Sequence, residues 1–283
     1  MKYKPGEIVA GWNAIVFRKV LSVFPLKFRY KFFESVGMAA YYLIKKRREL
    51  TIDNIKHAFP EKSKEEIINI AKESYKTMGK MIMTSIYLKE VTSGGNTVLE
   101  NEELMLKACE NDKAVIIVSL HSGGFEAGSI MRNIRKFYAV FRKQKNKKLN
   151  DLMAKWREEG GLHSIALRDS ETLNDALRNK TIIALASDHY AEDIPVKYFG
   201  RETTAVSGPV LLGLKYKVPL VLAYSVFENG KIKIINKEII EIEKKENLKE
   251  TVKFNMQKIF YKFEEIVKEN PGQYMWQHKR WRS

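Results

Sequence analysis

The chain has 283 residues, 45% of them hydrophobic, with 14 Phe, 13 Tyr and 4 Trp; that is enough to fill the core of one large α/β unit and excludes intrinsic disorder. The 50 basic residues against 34 acidic ones leave a formal charge of +16, which favours an anionic partner such as nucleic acid, phospholipid or a phosphorylated substrate. Cys109 is the only cysteine, so an intrachain disulfide framework and a four-Cys or Cys/His zinc site are excluded, and a reducing compartment is expected.

Residues 8–24, IVAGWNAIVFRKVLSVF, are largely apolar but carry Arg18 and Lys19 inside the run, and they lack the basic start and small-residue cleavage site of a secretion signal. A membrane span needs roughly 20 apolar residues, so this segment is expected to lie on a membrane surface. Lys2, Lys4, Lys27, Arg29 and Lys31 flank it and suit anionic headgroups. The plainer alternative is a hydrophobic helix packed on its own domain. Residues 32–44 are again apolar apart from Glu34 and run into KKRREL, either a solvated helix end or a second headgroup contact. Ser63 followed by Glu66 is a capping-box pattern and predicts a helix over 63–88, closed by TSGGN.

From Lys113 the texture changes. AVIIVSL, FYAVF, TIIALAS and PLVLAYSVF read as buried strands, while residues 124–134, 147–158, 170–178 and 207–216 read as helices. This alternation predicts an α/β fold with a largely parallel central sheet flanked by helices. FENGKIKIIN adds a hairpin through Asn229-Gly230, and 247–269 is one more amphipathic helix.

In open α/β sheets, sites form beyond the carboxyl ends of the strands. HSGGFE, directly behind AVIIVSL, stands at such a place. Gly123 and Gly124 permit a tight turn, and with Glu126 in the first turn of a following helix the carboxylate can reach one imidazole nitrogen of His121. The other nitrogen is then free to act as a base. The plain alternative is a turn without chemistry. A metal site is weaker, because no second histidine lies at ligand spacing nearby. Residues 131–150 hold eight basic residues and no acid, and Arg142 and Asn146 follow FYAVF, where an arginine can bind phosphate. Arg168 after HSIAL, and Asp188-His189 after TIIALAS, occupy comparable strand ends.

In this order the blocks resemble the late acyltransferases of lipid A biosynthesis, within the glycerolipid and lysophospholipid acyltransferase superfamily. HSGGFE matches the family's H-x-x-x-x-[DE] motif; FRKQKN, RDSETLNDAL, SDHYAED and YFGRETTAVSGP resemble its following blocks, and PGQYMWQHKRW its ending. The resemblance runs from about residue 12 to the C-terminus. FRKQKN stands where relatives have a Tyr-Arg-Pro start, and Arg18 and Lys19 interrupt what is a membrane-spanning helix in relatives.

The resemblance implies transfer of an acyl chain from acyl carrier protein, or less often coenzyme A, to a hydroxyl of a phosphorylated glycolipid on the cytoplasmic face of the inner membrane. No cofactor and no metal are implied. His121 is then the general base and Glu126 its partner. Arg142 and Asn146 bind acceptor phosphate, Asp188 positions an arginine or the acceptor, and Arg142, Arg168 or the amides near Gly123 and Gly124 are candidates to stabilise the oxyanion. Residues 1–45 form the membrane-associating helices and 46–283 the acyltransferase domain. A glycerophospholipid or glycosylated inositol lipid is the alternative acceptor. A non-catalytic basic module is the alternative from another class, although no recognisable DNA- or RNA-reading module is present.

Overall fold

A computed structural model describes residues 2–110 and 112–282. Ten α-helices are described. The first four, α1 (Pro5–Ser22), α2 (Leu26–Leu43), α3 (Lys45–Ala58) and α4 (Lys64–Ile86), precede the sheet, with the short α5 (Leu88–Val91) behind them. The capping box at Ser63 and Glu66 is formed. The strands then follow: β1 (Thr97–Glu100), β2 (Val115–Ser119), β3 (Phe137–Phe141), β4 (Leu162–Ala166), β5 (Ile182–Ala186), β6 (Ile194–Tyr198), β7 (Arg201–Ala205), β8 (Leu220–Glu228) and β9 (Lys231–Ile240). Between and after them lie α6 (Glu102–Cys109), α7 (Lys147–Glu159), α8 (Ser170–Arg178), α9 (Gly208–Tyr216) and α10 (Leu248–Glu269).

Seven strands form one sheet in the order β1-β9-β8-β2-β5-β3-β4, parallel throughout except for the β8–β9 hairpin, and β6 and β7 pair as a separate antiparallel ribbon. Asn229 and Gly230 join β8 to β9, both with positive φ (51° and 75°), the pair of left-handed residues that a type I′ turn requires. Residues 125–133 form a 3-10 helix rather than an α-helix. Gly128 and Ser129 in its middle are weak α-helix formers, which reduces the cost of the tighter winding.

Alternation along the central strands divides the core in two. Ile116 and Val118 of β2 and Ile183 of β5 face α10, against Met256 and Phe260. Ile117 of β2, Ala139 of β3 and Ile182 of β5 face the other way, toward Met131 and the residues of α4 and α5. Both faces of the sheet are thus covered, as the near-continuous apolar runs of a parallel sheet require.

The N-terminal helices are anchored by specific contacts. Gly37 of α2 and Gly79 of α4 lie where any Cβ would collide with the carbonyls of Tyr75 and Phe33, so glycine lets the two helices cross at backbone contact. Arg18, which breaks the first apolar run, bonds Glu159 of α7 at 2.7 Å and lies over the Trp156 ring. Arg29 corrects the headgroup expectation: it is buried and paired with Glu90 at 2.6 Å, because its side chain points under α2 toward α5. Among the described residues no helix is long and apolar enough to cross a membrane.

Candidate active site

The parallel register of β2 and β5 builds the site. Ser119 of β2 lies opposite Ala186 of β5, so the chain two residues farther on delivers His121 and Asp188 side by side at the carboxyl ends of the two strands. His121 Nδ1 donates to Asp188 Oδ1 at 2.8 Å, and the His121 backbone N–H donates to the same oxygen at 3.1 Å. Two bonds from one residue fix both the loop and the ring. Nε2 of His121 takes part in no hydrogen bond among the described residues, and the side chain is partly exposed.

Asp188 is fully buried. Burial alone pushes its carboxyl up, but the charges of His121 and His189 and the His121 hydrogen bond outweigh that and hold it below the usual carboxylate range. The group is therefore ionised and acceptor-only. It orients the imidazole and is placed to stabilise an imidazolium if Nε2 takes a proton.

This corrects the expected pairing. Glu126 does not bond His121; it is clasped by Arg157 of α7, with Nε at 3.0 Å and Nη2 at 2.7 Å on its two oxygens. The reason is the turn itself: Gly123, at φ 50°, sends the chain away so that Glu126 points into the sheet face beneath α7. Arg157 also lies over the Phe141 ring, 3.8 Å from its centroid. Glu126 and Arg157 line one cavity with His121, floored by small residues of the sheet, Ala139, Ala184 and Ala223. Its wall is mostly apolar, with His121 and the ion pair as its charged features.

The C-terminal segment straps the histidine loop in place. Gly123 N–H donates to the Gln273 carbonyl, Met275 N–H to the His121 carbonyl, and Ser122 and Ser225 exchange two bonds between hydroxyls and carbonyls. The Gly123 amide is thereby occupied and is removed from the candidate oxyanion donors. His278, from the same segment, joins a column of rings: His121 stacks on His189 at 3.7 Å, and His189 on His278 at 3.8 Å, in planes 8° and 7° apart. Burial first, then the charge of His121, brings His189 down to about 3; burial likewise brings His278 down to about 4, so both are neutral near neutral pH. Ligand atoms of His121, Asp188 and His189 lie within 4.8 Å of one another. The lone pairs of the two stacked rings lie in parallel planes, however, so a single ion cannot sit in the plane of both imidazoles until one rotates.

The remaining expected residues disperse. Asn146 accepts the Leu149 N–H at 2.9 Å and caps α7, a structural task that occupies its oxygen. Arg142, just past β3, is exposed and forms no hydrogen bond or ion pair among the described residues. Arg168 is also exposed, at φ 76°, on the other face of the sheet from His121. Arg157 was missed by sequence reasoning, since nothing in WREEG separates a buried clamp from a solvated helix end. His189 and His278 lie in SDHYAED and PGQYMWQHKRW, but their stacking brings together positions 89 residues apart.

The model of the bacterial lipid A biosynthesis acyltransferase family matches residues 3–283. The chain belongs to that family. A lipid A acyltransferase-type chain is an enzyme that transfers acyl groups, and the His121–Asp188 pair, with His121 lining an apolar cavity, is consistent with that chemistry. Among solved structures, the chain is similar to the 1-acyl-sn-glycerophosphate (LPA) acyltransferase PlsC from Thermotoga maritima, at 12% identity and a TM-score of 0.37, covering 84% of this chain and 96% of that one. A search of curated protein sequences found no match for this family member.

Proposed function

We propose that this acyltransferase moves a fatty acyl chain from an acyl thioester, on acyl carrier protein or coenzyme A, to a hydroxyl of a phosphorylated glycolipid precursor of lipid A. The observation that carries the reading is His121, held through Nδ1 by a buried carboxylate with Nε2 free, opening onto an apolar cavity. His121 Nε2 takes the acceptor hydroxyl proton as the oxygen attacks the thioester carbonyl. The tetrahedral oxyanion collapses, the C–S bond breaks, and the imidazolium returns the proton to the departing thiolate. Asp188 stays ionised throughout.

Arg157, pre-positioned by Glu126 in the same cavity, is the favoured cation for the developing oxyanion, in place of Arg142. The apolar cavity suits the hydrocarbon of the donor. Arg142 and Arg168, both exposed, are suited to acceptor phosphate.

Residues 1–45 are the membrane-facing part in this reading. Trp12, Val16, Val20, Val23 and Leu43 are all more than half exposed, and the surrounding lysines supply positive charge. Such a surface supports peripheral attachment to the anionic cytoplasmic leaflet of the inner membrane. The excess of +16 also favours acidic acyl carrier protein as donor. Mass spectrometry of lipids from cells lacking the protein tests the acceptor. Lipid A short of a single acyl chain is the expected result; intact lipid A with altered phospholipids transfers the same chemistry to a glycerophospholipid acceptor.

A further inference from the structure

Acyl transfer to a membrane lipid brings together two molecules that each carry hydrocarbon, so one cavity at His121 accounts for only one of them. A second apolar cavity opens on the opposite face of the sheet, at the carboxyl ends of β3, β4 and β5. Its volume of about 250 Å³ is far larger than a packing defect. Leu173 of α8, Leu185 of β5 and Leu212 of α9 line it. The two cavities share Val140 and Ala186, so they meet at the carboxyl ends of β3 and β5, just before Asp188.

The rim of this cavity carries an exposed guanidinium beside one carboxylate. Arg168 lines it, is exposed, and has no ion pair or hydrogen bond from its side chain among the described residues. The neighbouring Asp169 does not pair with it: both carboxylate oxygens are turned to Thr172, accepting from its N–H at 3.1 Å and its hydroxyl at 2.9 Å. A greasy cavity beneath an exposed guanidinium that forms no ion pair among the described residues matches an anionic headgroup attached to an acyl chain.

We infer that this second cavity seats a resident acyl chain of the lipid acceptor, with Arg168 on a headgroup phosphate, while the donor chain occupies the cavity at His121. The inference rests on the proposed acyl transfer to a phosphorylated glycolipid. In this arrangement the acceptor straddles the ends of β3 and β5 and presents its hydroxyl to His121 Nε2 from the side opposite the donor chain.

Gly208 lines the second cavity, and a Cβ there meets open space, so Gly208→Leu is the substitution chosen to fill the cavity. Initial rates are measured with a long-chain acyl thioester and a phosphorylated disaccharide lipid bearing either long or short resident chains; thermal melting checks that the variant is folded. The wild type is expected to show a KM for the long-chain acceptor at least about tenfold below that for the short-chain one, from burial of the extra methylenes. In Gly208→Leu the long-chain KM rises to the short-chain value. Arg168→Gln raises KM for the phosphorylated acceptor and not for its dephosphorylated form. A long-chain KM unchanged in Gly208→Leu overturns the inference, and so does a rise in the donor KM instead. If the wild type ignores the disaccharide lipid and acylates a glycerophospholipid, the function proposed above fails by itself, and the same chain-length comparison on that lipid decides the cavity.

Discussion

The imidazole of His121 lies flat against that of His189, 3.7 Å between centroids with the planes 8° apart. Because burial and the charge of His121 bring His189 down to about 3, the ring beneath the proposed base is neutral when His121 is protonated. A neutral aromatic face favours the imidazolium, whereas a second cation there would oppose it. Replacing His189 with Phe preserves a flat ring and is expected to retain most activity. His189→Ala is expected to lower kcat roughly 3- to 30-fold, the equivalent of about 0.5–2 kcal/mol of cation–π stabilisation. Steady-state kinetics on both variants provide the check; equal losses in the two would remove the stacking argument.

Asp188 and Glu126 are predicted to fail in different ways. Asp188→Asn keeps the shape of the pair but loses the charge that fixes the tautomer and supports the imidazolium, so kcat falls by roughly 10²- to 10⁴-fold in a folded protein. Glu126→Ala leaves the Arg157 guanidinium largely buried without its carboxylate and costs about 3–5 kcal/mol of stability. Thermal melting and transfer rates measured on both variants separate the two roles. A stable Glu126→Ala protein with normal melting would contradict the clamp.

The histidine column makes stability sensitive to mild acid. In the unfolded chain His189 titrates near 6.5, while in the fold it stays neutral until about pH 3, so the unfolded state binds more protons below the unfolded value. Stability is therefore complete above pH 6.5 and declines as pH falls from there toward 3. Between pH 6.5 and 5 the loss from this residue is about 2 kcal/mol. Chemical denaturation at the two pH values measures it, and His189→Phe is expected to shrink the difference. Asp188 adds a further loss only below its unfolded value of about 3.9, where its own depressed carboxyl begins to lose its advantage.

Gly123 is the turn that follows His121, the proposed base. At φ 50° an L side chain is strained, and its Cβ would press on the Ser225 carbonyl, a backbone group that cannot swing aside. Gly123→Ala is expected to cost at least about 1–2 kcal/mol and to slow transfer by displacing His121. Denaturation midpoints and kcat report the two effects together; an unperturbed kcat in a destabilised variant would dissociate the turn from the base.

The central sheet was legible because its strands are buried on both faces and stand out as apolar runs bounded by turns, from AVIIVSL to PLVLAYSVF. Three strands left no such mark. β1 is four residues long, and the β6–β7 ribbon alternates Lys197, Glu202 and Thr203 with its few buried residues, a composition shared with surface loops. His121 was found from its place after the first buried strand, yet its acid was sought five residues away when it lies 67 residues away. Sequence proximity offered Glu126. Strand register chose Asp188, since only the adjacency of β2 and β5 brings residues 121 and 188 together, and strand order is not written in periodicity. The basic stretch around Arg142 was visible as charge, but the arginine that enters the cavity, Arg157, reaches it through the packing of α7.

The most direct measurement is acyl transfer by purified wild type and His121→Ala, using a long-chain acyl thioester and a phosphorylated disaccharide lipid, with thermal melting to show that both are folded. Loss of the base is expected to reduce kcat by at least about 10²- to 10⁴-fold while the melting temperature stays near that of the wild type. Equal transfer rates from the two proteins would contradict the assignment of His121 as the general base.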